Sequence, residues 1–133
     1  MNNWAIKSFI SAVTQWAETQ PDVTAVVLVG SHARGEATPQ SDVDLVVLTQ
    51  DPDRYVADTA WARSFGEVER EEQEDWGRVM AVRVWYAGGR EVEFGFTKPD
   101  WAALPLDPGT KRVIEDGMRV LFDRNGPFDS FEY

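Results

Sequence analysis

Apolar and polar positions follow two different periods along this chain, and the change between them marks its elements. Trp4, Phe9, Ile10, Val13, Trp16 and Ala17 recur at helical spacing, which predicts an amphipathic helix stopped by Pro21. Residues 24–29 (TAVVLV) are β-branched and almost wholly apolar, as a central strand covered on both faces requires. Gly30-Ser31 breaks that run. A second strand of the same kind, residues 43–49 (VDLVVLT), is entered from the turn-rich Thr38-Pro39-Gln40-Ser41.

Pro52-Asp53-Arg54 opens a predicted helix running through Trp61 to about Ser64. After Gly66, residues 68–74, 79–86 and 91–97 each have strand character. Gly88-Gly89 lies between the last two and predicts an antiparallel hairpin. In the tail, Thr110 can cap a short helix over 111–116, Gly117 suits the left-handed residue that ends it, and 118–122 reads as a closing strand. The order implies an α+β domain, a mixed β-sheet with helices packed against it. No repeat, linker or low-complexity tract divides it, and 133 residues fit one domain spanning 1–133.

Composition narrows the chemistry. Cysteine is absent, which excludes disulfide scaffolds, thiolate metal sites and cysteine nucleophiles, and the single histidine, His32, excludes His-rich metal sites. Thirteen Lys+Arg against 23 Asp+Glu leave a formal charge of −10. Such a surface repels phosphate backbones and anionic membranes, so long nucleic acid is not an expected partner. The longest apolar runs are only strand-length and the amino terminus lacks the features of a signal peptide, so a cytoplasmic protein without membrane attachment is expected.

The candidate chemistry lies within residues 26–48 (VVLVGSHARGEATPQSDVDLVVL). Strand alternation puts Asp42 and Asp44 on one face, while Val43 and Leu45 turn toward a core. Two carboxylates that close repel one another unless a hard divalent cation sits between them, and an oxygen-only pair selects Mg²⁺. Alone, Ser41-Asp42 reads equally well as a turn into an edge strand. Gly30-Ser31 shifts the balance. It ends an apolar strand before His32-Ala33-Arg34, where a glycine permits close backbone approach and the backbone N–H groups attract phosphate. A strand end offering an anion cradle beside one offering a carboxylate pair fits a nucleoside triphosphate bound with Mg²⁺.

A third carboxylate is expected from Glu91-Val92-Glu93-Phe94-Gly95-Phe96. Alternation sends Val92, Phe94 and Phe96 to the core and leaves Glu91, Glu93 and Gly95 opposite. Glu93, flanked by apolar residues within the strand, is favoured over Glu91, which follows the turn. The plain alternative is a solvated acid. His32 reads as a solvent-facing residue, and the six tryptophans as mostly packing, with Trp61, Trp76 and Trp85 available to stack on a base or an aromatic acceptor. The acidic run 67–75 (EVEREEQED) reads as a solvated strand edge, or else as a rim attracting a cationic acceptor.

Gly30-Ser31, ten intervening residues and then Asp42-Val43-Asp44-Leu45 resemble the signature of the DNA polymerase β-like nucleotidyltransferase superfamily. Ala33-Arg34-Gly35-Glu36 and Ser41-Asp42 further resemble its small bacterial members, the minimal nucleotidyltransferases and the aminoglycoside or lincosamide nucleotidyltransferases. Val92-Glu93-Phe94 is similar to the third acidic strand of the family, with glutamate in place of aspartate. The resemblance spans residues 24–97.

The resemblance implies the nucleotidyltransferase fold and an enzyme that transfers a nucleoside monophosphate, AMP from ATP being the expected pair, to a hydroxyl. It implies that Gly30 and Ser31 hold the β- and γ-phosphates, that Asp42 and Asp44 bind two Mg²⁺ ions, and that Glu93 completes the second metal site and serves as a candidate base. Arg34 is implied for the departing pyrophosphate, the alternative being a surface residue paired with Glu36 or Asp42. The acceptor is open between a small molecule, modified by an enzyme that acts as a homodimer, and a protein. In the latter case the chain is similar to minimal nucleotidyltransferase antitoxins, which pair with a helical toxin.

Overall fold

The computed structural model describes residues 6–30, 42–75, 79–99 and 118–124. Helix α1 spans Ile6–Thr19 and buries Phe9, Val13 and Ala17, one stripe at four-residue steps. Trp4 and the tail segment 111–116, which the sequence assigns to helices, lie outside the described residues, as do Thr110 and Gly117. Six strands follow as expected: β1 Val23–Val29, β2 Val43–Thr49, β3 Val68–Asp75, β4 Met80–Tyr86, β5 Arg90–Thr97 and β6 Met118–Asp123.

They form one mixed sheet in the order β3-β4-β5-β2-β1-β6. Strands β2 and β5 run parallel at its centre, and the other neighbouring pairs are antiparallel. The β4–β5 hairpin closes through Gly88 and Gly89, both at positive φ (98° and 87°), the backbone region where glycine carries no side-chain penalty.

The two faces of the sheet differ. Val43, Leu45 and Val47 of β2, with Val92, Phe94 and Phe96 of β5, join Phe9, Val13 and Ala17 of α1 in the main core. Two further elements cover this face, helix α2 (Pro52–Ala57) and a 3₁₀ helix (Ala60–Phe65). The sequence predicts one helix across this segment; two polar residues interrupt it. Asp58 is extended and accepts a hydrogen bond from the Ala60 N–H (3.0 Å), while Thr59 Oγ1 donates to Glu71 (2.6 Å), so local side-chain bonds replace the helical ladder. Aromatic rings fill the layer. Tyr55 stacks on Phe96 with centroids 5.0 Å apart, and Trp61 sets its edge against Phe94 and Phe96 at 4.8 and 5.1 Å.

On the opposite face, Ala25 and Val27 of β1, Val46 and Leu48 of β2 and Met118 of β6 form a smaller apolar cluster. Strands β1 and β2 are thus buried on both faces over most of their length, which is why they read as almost wholly apolar runs apart from Asp44.

Two polar anchors lock the far end of the sheet to the helices. Asp22 accepts hydrogen bonds from Thr49 Oγ1 (2.6 Å), Arg54 (2.7 Å) and the Tyr55 hydroxyl (2.8 Å). Burial pushes its pKa up, but the Thr49 and Tyr55 hydrogen bonds and the Arg54 charge outweigh that and hold the carboxyl below its ordinary value. Arg124, just beyond β6, donates to the carbonyls of Ala17, Glu18 and Gln20 at 3.2–3.3 Å and so caps the carboxyl end of α1.

Candidate functional site

Asp44 is the second residue of β2 and turns away from the helix-covered core, as alternation requires. In the parallel ladder it pairs with Glu93 of β5, and Glu93 in turn pairs across the hairpin with Arg83 of β4. The register therefore lines up Asp44, Glu93 and Arg83 in one row across three strands. Asp42, immediately before β2, adds a carboxylate two residues away on the same side, and it is the most exposed of the set.

Gly30 closes this group from the other flank. Its neighbour Val29 pairs with Asp44 across the antiparallel β1–β2 ladder. Gly30 has φ +76°, and a Cβ there would lie 2.6 Å from Asp44 Oδ2. Only glycine permits both the left-handed turn and that approach.

Arg83 is the residue that sequence reasoning missed. Its guanidinium contacts Glu91 and Glu93 directly, Glu74 at 3.3 Å and Asp42 at 3.5 Å. The Trp85 indole N–H donates to the other Glu91 oxygen (3.0 Å), and the Arg70 guanidinium lies 4.4 Å above that indole ring. The signal for Arg83 was present. A hairpin turning at Gly88 sets Val82 and Val84 in the core and Arg83 opposite Glu93, so the turn alone fixes the pairing.

The carboxylates outnumber the positive charge. Four of them surround one guanidinium, and Asp44 stands beside Glu93. Burial raises the Glu93 pKa above its ordinary value; Arg83 opposes this, and Asp44, Glu74 and Asp42 add to it. Asp42 is raised too, by burial and then by Glu91, again against Arg83. Burial leads both shifts, and the neighbouring carboxylates add to it.

The set can be tested against a divalent metal. Its donors are all carboxylate oxygens, suited to a hard cation such as Mg²⁺, and the missing Cβ at Gly30 lets Asp44 Oδ2 lie close against the β1 backbone. Asp42, Asp44 and Glu93 therefore suit such an ion in kind, and the strand register brings Asp44 and Glu93 side by side. Among the described residues no three acidic side chains converge on one ion position as they stand, and Glu91 and Glu93 are turned to Arg83 instead.

Of the residues singled out from sequence, Gly30, Asp42, Asp44 and Glu93 meet at this end of the sheet, and Glu91 joins them through Arg83. Ser31, His32 and Arg34 lie outside the described residues, as does Trp76. Trp61 packs on the opposite face, whereas Trp85 borders the carboxylates. The acidic run forms β3, which is an edge strand as expected, and Glu74 reaches inward to Arg83.

No curated protein sequence matches the chain significantly. Among solved structures, an aminoglycoside 6-adenyltransferase from Bacillus subtilis superposes with a TM-score of 0.66 at 10% identity, over 100% of this chain and 44% of its own. The polymerase core of TRAMP, an RNA surveillance complex, gives 0.49 at 19% identity, over 70% of this chain and 29% of its own. A poly(U) polymerase gives 0.48 at 20% identity, over 69% and 32%. The chain spans less than half the length of each of these structures, and at such identities the adenyltransferase match is a likeness of fold. The sequence profile of the nucleotidyltransferase domain matches residues 10–119, most of the chain. The chain therefore belongs to the nucleotidyltransferase domain family, a family of nucleotidyl-transferring enzymes.

Proposed function

We propose that this domain binds a nucleoside triphosphate, ATP in the first instance, with Mg²⁺, and transfers the nucleoside monophosphate to a hydroxyl of an acceptor. The observation that carries the reading is the in-register row of Asp44 and Glu93, with Asp42 and Gly30 at the same sheet end. In the reaction the acceptor oxygen bonds to the α-phosphorus, the bond to the β-phosphate oxygen breaks, and pyrophosphate leaves. Asp42, Asp44 and Glu93 would hold two Mg²⁺ ions, whose chemistry is to offset charge on the attacking and leaving oxygens. Gly30 and Ser31 bind the β- and γ-phosphates, Arg34 contacts the departing pyrophosphate, and Glu93 takes the acceptor's proton.

The excess of carboxylates at this sheet end, extended by the acidic edge strand β3, favours a cationic, hydroxyl-bearing small molecule as acceptor. The likeness to an aminoglycoside adenyltransferase supports the same class. A cytoplasmic setting, where ATP and Mg²⁺ are available, is part of the proposal; no helix among the described residues is long and apolar enough to cross a membrane.

Thermal unfolding with each nucleoside triphosphate, with and without Mg²⁺, tests the reading. A ligand present at 100 times its Kd stabilises a fold by about 2.7 kcal/mol. The expected result is a Mg²⁺-dependent rise in Tm that Asp42→Asn/Asp44→Asn abolishes. Equal shifts in wild type and double variant overturn the assignment of these residues.

A further inference from the structure

Arg83 raises a question that the proposed chemistry leaves open. The row that sets Asp44 beside Glu93 places Arg83 on the other side of Glu93, and the guanidinium contacts the Glu93 carboxylate directly. It also gathers Asp42, Glu74 and Glu91, and its side chain is only 22% exposed. Such a group is more than a surface ion pair, because removing its charge would leave several half-buried carboxylates facing one another. Yet a carboxylate bound by a guanidinium has fewer oxygen lone pairs to give a metal ion.

We propose that Arg83 is a built-in counter-cation that holds Glu93 in the metal-free domain and releases it when a divalent ion binds between Asp44 and Glu93. This rests on the metal-dependent reading above and adds a role for a side chain which that reading does not use. Release is feasible because Glu74 and Glu91 keep the guanidinium paired after Glu93 turns away. Arg83 is thus a positioning residue: it balances the clustered carboxylates before the ion binds and sets a threshold that the ion must overcome. Trp85 supports the exchange by anchoring Glu91 through its indole N–H, which fixes the partner to which the guanidinium retreats.

Mn²⁺ serves as the probe, followed by electron paramagnetic resonance without nucleotide turnover, and Mg²⁺ is used for nuclear magnetic resonance of the Arg83 side chain. In wild type, the Arg83 Nε–H signal is expected to shift with the same midpoint as metal binding. Arg83→Gln is expected to bind Mn²⁺ about tenfold more tightly, and this gain should vanish in a Glu93→Gln background. A tenfold gain that persists in that background is simple charge removal and overturns the exchange. So does an Arg83 signal that stays fixed while metal binds. The resonance experiment uses the wild-type protein, so it decides the matter even where Arg83→Gln does not fold. If wild type binds no Mn²⁺, with or without ATP, and Arg83→Gln also binds none, the site assignment itself fails and the exchange with it. Binding that needs Asp42 and Asp44 but ignores Arg83 removes the exchange alone.

Discussion

Replacing Gly30 by alanine tests the link between backbone shape and the carboxylate group. Two costs follow from the structure. The first is conformational: at φ +76° an L-residue pays about 1–2 kcal/mol relative to glycine. The second is a collision, because the new Cβ would sit 2.6 Å from Asp44 Oδ2, well inside contact distance. Turning the Asp44 carboxylate off its rotamer to relieve it costs a further ~1 kcal/mol. The sum is about 2–3 kcal/mol, roughly 6–12 °C in Tm for a domain of this size. Circular dichroism melts of Gly30→Ala, Asp44→Ala and the double variant separate the two. In the Asp44→Ala background the collision disappears and only the conformational cost remains, so a coupling of about 1 kcal/mol is expected. Identical losses in both backgrounds would refute the proposed contact between Gly30 and Asp44. The single variant is also expected to weaken Mn²⁺ binding, since its Asp44 no longer points where Gly30 left room.

Asp22→Asn is expected to cost about 2–3 kcal/mol, because it removes a half-buried charge that accepts bonds from Thr49, Arg54 and Tyr55. The folded Asp22 pKa lies below the ordinary value of 3.8, so its stabilisation is present above that pH and is lost as pH falls through the lower folded value. Urea melts from pH 7 to pH 2 should show that acid-side loss in wild type and a smaller one in Asp22→Asn. Phe96→Ala removes a fully buried ring between Tyr55 and Trp61; a loss of about 3–5 kcal/mol is expected, with a shift in tryptophan emission as Trp61 loses its neighbour. Arg124→Met keeps the apolar stem but not the donors to the end of α1. A loss of about 1–2 kcal/mol is expected, and hydrogen exchange should rise first in the last turn of that helix.

The legible parts of this chain were those where local pattern and tertiary environment agree. Strands β1 and β2 are buried on both faces over most of their length and therefore almost wholly apolar, so they can be read directly. The alternation in β5 separated Glu93 from Val92 and Phe94 because one side of that strand meets a core and the other meets polar groups. The sequence pattern carries the helix after Pro52 too far because Asp58 and Thr59 satisfy their hydrogen bonds locally and across to β3, which no period reveals. Arg83 was legible in principle, but seeing it required carrying the hairpin register back from Gly88 to a strand with no motif of its own. Arg124 could not be read at all. Its partners are main-chain carbonyls at the end of a helix far away in the chain, and carbonyls leave no mark in a sequence.

The central parallel pair has a kinetic consequence. The meander β3-β4-β5 closes through short-range contacts, and so its formation is fast and local. Joining β2 to β5 requires closure of a long intervening loop, with the entropy that entails, and β2 brings β1 with it. Asp44 and Glu93 come from opposite sides of that seam. A chain in which each half is structured but the seam is open contains every acidic residue of the site and no site. If the proposed metal site is right, cation affinity is expected late in refolding, after most secondary structure has formed, as a clock for the docking of the two halves.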